Sequence, residues 1–140
     1  MGMVYAEITL KNAKDEGYAT DGFIRQEDIR AVGVMAVVDT GSMNLVITEE
    51  LRLKLGLAIK GEKTALIANG ERANCKITDA VEVQWKNRFM ILPAIVIPGA
   101  QKVLLGALAL EGMDLMVNPV TQELVGVHGD KEEHMALFNK

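Results

Sequence analysis

The run Val37-Val38-Asp39-Thr40-Gly41-Ser42 places an acid, two hydroxyls and a glycine directly after an apolar stretch. A carboxylate in such a turn can take a proton as a general base or, once protonated, give one as a general acid. The polar turn at residues 39–44 lies between two apolar segments, residues 31–38 and 45–47. Loops ordinarily run over the surface, where water satisfies their backbone groups. A polar turn enclosed by two core strands marks a site. The other reactive side chains make weaker cases. Ser42 with His128 or His134 would need an acid to form a hydrolase triad, and residues 39–43 lack the Gly-x-Ser-x-Gly elbow. His128 and His134 with Asp130, Glu132 and Glu133 have ligand chemistry, but this charged stretch reads as solvated tail and no metal is expected. Cys75, the single cysteine, sits on a hairpin arm and reads as a small packed residue.

The elements that must position Asp39 are mostly short strands. Val4, Ala6, Ile8 and Leu10 alternate with Tyr5, Glu7 and Thr9, the period of a half-buried strand. Residues 11–30 are polar and glycine-containing, a long connection or insertion holding at most a short strand or turn. Residues 31–38 are apolar on both faces and predict an interior strand; residues 45–47 predict a second. Thr48 is an expected N-cap, with Glu49 and Glu50 in the first turn, Leu51 and Leu55 packing inward and Gly56 ending the helix. Asn69-Gly70 predicts a two-residue type I′ hairpin between arms at 64–68 and 71–77. A second hairpin, 80–85 with 89–97, turns at Lys86-Asn87-Arg88. Val103-Leu104-Leu105-Gly106 forms a short strand leading into a helical turn at 107–111. Strands at 115–117 and 123–128 flank Asn118-Pro119-Val120-Thr121. The sum is a mostly-β barrel or sandwich with one or two short helices.

At 140 residues the chain is read as one domain, 1–140, with 129–140 as a polar tail. It is 49% apolar and 24% charged, enough to bury a core. Its formal charge of −4 and lack of any basic block argue against a nucleic-acid partner. Apolar stretches such as 31–38 and 103–110 fall well short of the ~20 residues of a membrane helix. The N-terminal residues lack a basic region followed by an apolar one, so no signal peptide is expected. With a single cysteine, this predicts a cytoplasmic protein in a reducing compartment.

The order of these features resembles the retropepsin-like (retroviral-type) aspartic proteases from Val32 to Val127. It is most similar to a bacterial subset with Leu105-Gly106, Met113-Asp114-Leu115 and a terminal strand at 123–127. The resemblance implies an all-β, closed acid-protease barrel and an aspartic endopeptidase without cofactor. In that chemistry two carboxylates share one proton while water attacks the peptide carbonyl. The chain holds one Asp-Thr-Gly, so the pair requires a homodimer with Asp39 from each chain. The resemblance further implies that Thr40 bonds across to the opposite loop and that Gly41 lets the two backbones approach. Ser42 is expected to donate to the Asp39 carboxylate and tune the enzyme toward a lower working pH. Ala68, Asn69, Gly70 and Glu71 would form the flap over a peptide or protein substrate, and Leu104, Leu105 and Gly106 the support from the second half. Residues 3–10 and 124–127 would interleave between chains. Three features depart from the family pattern: a flap tip that is not glycine-rich, Ala107-Leu108 after Gly106, and the length of residues 11–30. The alternative reading is an inactive retropepsin-like dimer serving as a peptide-binding or assembly module.

Overall fold

The computed structural model describes residues 3–66 and 69–128. Nine strands and three short α-helices follow in order: β1 (Val4–Asn12), α1 (Ala13–Thr20), a 3₁₀ turn (Gln26–Asp28), β2 (Ala31–Val38), β3 (Val46–Ile47), α2 (Glu49–Leu55), β4 (Ile59–Leu66), β5 (Arg72–Trp85), β6 (Arg88–Val96), β7 (Val103–Leu105), α3 (Ala107–Gly112), β8 (Leu115–Asn118) and β9 (Glu123–Gly126). Six strands, in the order β1-β2-β7-β3-β6-β5, close into a barrel because β1 also pairs with β5. β4 extends that sheet beyond β5, and β8 with β9 form a separate hairpin. The interior is aliphatic, with Ile8, Leu10, Leu45, Ile47, Leu55 and Leu105 fully or almost fully buried.

Local chemistry accounts for most of these elements. β1 alternates as its sequence predicts, with Ala6, Ile8 and Leu10 inward and Tyr5 half exposed. The Thr48 hydroxyl accepts the Leu51 N–H at 3.2 Å, capping α2, and Gly56 closes that helix at φ 66° in the left-handed region. β2 differs from the interior strand expected of it. Only Ala36, Val37 and Val38 are buried; in the first half the strand alternates, with Val32 and Val34 half-buried against the core and Ala31, Gly33 and Met35 exposed.

Two further expectations are corrected. The Asn69-Gly70 hairpin pairs Leu66 with Arg72, so its connection is five residues long (67–71) rather than a two-residue turn. Among the described residues there, 69–71, only Gly70 takes a positive φ (85°); Asn69 instead accepts the Glu71 N–H on its side-chain oxygen at 2.9 Å. Within the chain, residues 3–10 form a wall of the barrel: β1 pairs along its length with β2, and from Thr9 to Asn12 with β5. Residues 124–127 belong to the β8–β9 hairpin, where Val117 is paired with Leu124. The polar segment 11–30 holds a helix, bringing the count to three.

That helix is held by charge rather than by an apolar face. The Asn12 side chain accepts the Asp15 N–H at 3.0 Å and donates to the Leu55 carbonyl at 2.8 Å, tying the start of α1 to the end of α2. Asp15 is buried and accepts three bonds from Arg30: the backbone N–H at 3.0 Å and the guanidinium at 2.8 and 2.9 Å. The guanidinium holds the Asp15 carboxyl below the usual carboxylate range. A lowered folded value contributes stability above the unfolded value, lost as pH falls through the folded one. Arg30→Ala is expected to cost about 2 kcal/mol at neutral pH and to reduce acid sensitivity, read from urea midpoints across pH.

The neighbouring Glu82 behaves oppositely. It is buried on β5, faces Glu16 of α1, and sits in register with Lys11 of β1. Burial, followed by the charge and hydrogen bond of Glu16, pushes its carboxyl above the usual range, with Lys11 opposing. A raised folded value means that stability is lost as pH climbs from the unfolded value toward the folded one. Glu82→Gln should therefore flatten the decline of Tm on the alkaline side of the carboxylate range. An unchanged slope in thermal melts would contradict this.

Candidate active site

Asp39 is delivered by the parallel pair β2 and β7, in which Val38 lies beside Leu105. Both strands end at the same level, so the Asp39 loop and Gly106 leave the barrel side by side. The Asp39 N–H donates to the Leu105 carbonyl at 3.0 Å, continuing the ladder one residue past β2. The return of the loop is fixed from α3: the Ala107 N–H donates to the Ser42 carbonyl at 2.7 Å and the Leu108 N–H to the Met43 carbonyl at 3.1 Å. These bonds are made by backbone. The departure at Ala107-Leu108 therefore leaves this support of the loop intact.

The Asp39 carboxylate is half-buried and accepts the Gly41 N–H at 3.1 Å. Its donor is thus a backbone amide where the Ser42 hydroxyl was expected; Ser42 reaches Asp39 through its own N–H, which donates to the Asp39 carbonyl at 3.2 Å. Thr40 and Gly41 are exposed at the turn. A groove of about 590 Å³ opens over the loop, lined by Asp39, Gly41, Ser42, Val46, Leu66, Asn69, Ile97 and Leu104. The β4–β5 hairpin thus leans over the carboxylate. Asn69 of its connection and Leu104 of β7 were among the expected site residues; Gly70 and Glu71 are exposed at the tip, and Ala68 lies outside the described residues. Val46, Leu66 and Ile97 were missed, because each comes from a different stretch of chain and only barrel closure brings them to one groove.

A family model described as aspartyl protease matches residues 27–130, a span that contains the Asp39 loop, both hairpins and α3. The chain belongs to the aspartyl protease family. Among solved structures it is similar to the retroviral protease-like domain of Ddi1 from Leishmania major, with 16% identity and a TM-score of 0.55 over 89% of this chain and 88% of that one. At that identity the likeness concerns the fold, and it agrees with the retropepsin-like barrel. No curated protein matches the sequence.

For this aspartyl protease family member, the competing readings rest on His128, which lies elsewhere, and on Asp130, Glu132, Glu133 and His134, which are outside the described residues. His128 lies with Asp114 at 2.7 Å, beside the far end of α3, and is absent from the groove at Asp39. Asp114 takes a positive φ of 57° just after α3, and its carbonyl accepts the buried Arg88 guanidinium at 2.8 Å, a structural turn. Cys75 is buried, and Met43 is exposed within the loop. No helix among the described residues is long and apolar enough to cross a membrane.

Proposed function

We propose that the protein is a homodimeric aspartic endopeptidase whose catalytic pair is Asp39 from each of two chains. The observation that carries this reading is the single Asp39, held by backbone bonds at the floor of a groove beneath a β-hairpin. A lone carboxylate cannot be base and acid in one step. Two carboxylates brought together share one proton, since both cannot ionise cheaply at close range. The charged one then takes a proton from water, whose oxygen attacks the peptide carbonyl carbon. The neutral one gives its proton to the carbonyl oxygen. Collapse of the tetrahedral species breaks the C–N bond: the carboxyl that took the water's proton gives it to the leaving nitrogen, and the other recovers its proton from a hydroxyl of the diol, which becomes the product carbonyl. Val46, Leu66, Ile97 and Leu104 would receive apolar side chains of the substrate, and Asn69 would meet its backbone from above.

Sedimentation across a concentration range, combined with cleavage of a peptide library, tests the reading. A species of twice 15.2 kDa that cleaves internal peptide bonds is the expected result. A monomer that persists at high concentration with substrate present would sink it.

A further inference from the structure

The hairpin that leans over Asp39 ends in a tip that its own ladder does not hold. The last pair of β4 and β5 is Leu66 with Arg72, and the connection lies beyond it. Leu66 and Asn69 line the groove over Asp39, while Gly70 and Glu71 are exposed. Chain past the end of a ladder is ordered either by bonds of its own or by what it binds. Asn69 and Glu71 supply such bonds. The Asn69 side-chain oxygen accepts the Glu71 N–H at 2.9 Å, and the Asn69 side-chain amide donates to the Glu71 carboxylate at 2.9 Å. Gly70 bridges the two residues at φ 85°, a conformation that suits glycine. Both polar ends of the Asn69 side chain are thereby committed to Glu71. Glu71 does not line the groove and reaches it through Asn69.

We propose that Glu71 is a positioning residue: by clamping both ends of the Asn69 side chain across Gly70, it sets the hairpin tip over Asp39 before substrate arrives. The role in turnover rests on the peptidase reading given above; the clamp does not. A tip already in place loses little conformational freedom when a peptide binds, whereas a loose tip must be ordered by the peptide. That ordering weighs equally on the bound ground state and on the transition state. Its signature is therefore a raised KM with kcat unchanged. Loss of one such hydrogen bond corresponds to about a fivefold change.

Steady-state kinetics of the full chain on a peptide that the wild type cuts, paired with the amide heteronuclear NOE of Gly70, test this. Glu71→Ala removes the carboxylate and keeps the backbone N–H. KM should rise about fivefold with kcat unchanged, and the Gly70 NOE should fall as the tip gains fast motion. Glu71→Gln keeps an oxygen to accept the Asn69 amide and should recover most of both losses, which separates the clamp from the charge of Glu71. Asn69→Asp sets a second carboxylate against Glu71. Adding Glu71→Gln to it supplies a donor and should lower KM again by about fivefold, a coupling that independent local defects would not show. An unchanged KM in Glu71→Ala would overturn the positioning role, and so would a loss confined to kcat, which would put Glu71 in the chemistry. An unchanged Gly70 NOE would overturn the clamp itself. If the wild-type chain cut no peptide, the peptidase reading would fall, and the Gly70 signal would still decide the clamp.

Discussion

Asp39→Asn is expected to reduce peptide cleavage by at least ~10³-fold while leaving stability within about 0.5 kcal/mol of wild type. The amide keeps the shape of the carboxylate and an oxygen to accept the Gly41 N–H, so the loop geometry survives. What disappears is the exchangeable proton and the charge that would hold it. The proposed pairing makes a sharper prediction than loss of activity. When wild-type and Asp39→Asn chains are mixed in equal amounts and allowed to exchange, only dimers with two intact carboxylates should work, about a quarter of the total. Activity should then fall as the square of the wild-type fraction. A linear fall, to half at equal mixing, would mean that each chain works with its own Asp39, and the paired-carboxylate mechanism would be wrong.

How much of this site was legible in the sequence depends on the range over which each feature is determined. Asp39-Thr40-Gly41-Ser42 and the α2 caps Thr48 and Gly56 are encoded within a few residues, and they stand where the sequence puts them. The α1 helix was hidden because it has no apolar stripe. Its signal was the cap itself: Asn12 followed by Asp15 and Glu16 in the first turn, where acids suit a helix N-terminus. The Arg30 that holds it lies fifteen residues from Asp15, beyond any local pattern. The hairpin shows a different limit. Asn-Gly has a strong preference for a two-residue turn, but the register Leu66 with Arg72 is set by packing along the whole of β4 and β5, and the tip accommodates to it. The fate of residues 3–10 shows a third. Their alternating pattern specifies a strand with one buried face and says nothing about which chain supplies the neighbour. Here the neighbours are β2 and β5 of the same chain.

Two glycines flank the catalytic loop, and substituting each with alanine should have opposite consequences. A Cβ on Gly106 would collide with the Asn44 carbonyl oxygen and lie 2.6 Å from the Ser42 carbonyl oxygen and 2.9 Å from the Met43 carbonyl carbon. Its backbone is extended (φ −95°, ψ −174°), so conformation is no obstacle; the obstacle is space. All three contacts are backbone of the loop itself, which cannot swing away as a side chain would. Relief requires the loop to move off α3, weakening the bonds from Ala107 and Leu108 to the Ser42 and Met43 carbonyls. Gly106→Ala should therefore cost about 3 kcal/mol in a single chain, the upper part of the range for overpacking. Cleavage by the fraction that remains folded should fall by about 100-fold, as a displacement of order 1 Å at a catalytic group does. Gly41→Ala should do neither within one chain. A Cβ there lies 3.5 Å from an Asp39 carboxylate oxygen, an ordinary contact, and the residue is exposed. If Gly41 is required because two loops approach each other, its substitution should leave the urea midpoint of the monomer unchanged and weaken the dimer. Equal dimer affinity for Gly41→Ala and wild type would remove the close approach of the two loops from the mechanism. The contrast separates what this chain needs in order to hold Asp39 from what a second chain would need in order to reach it.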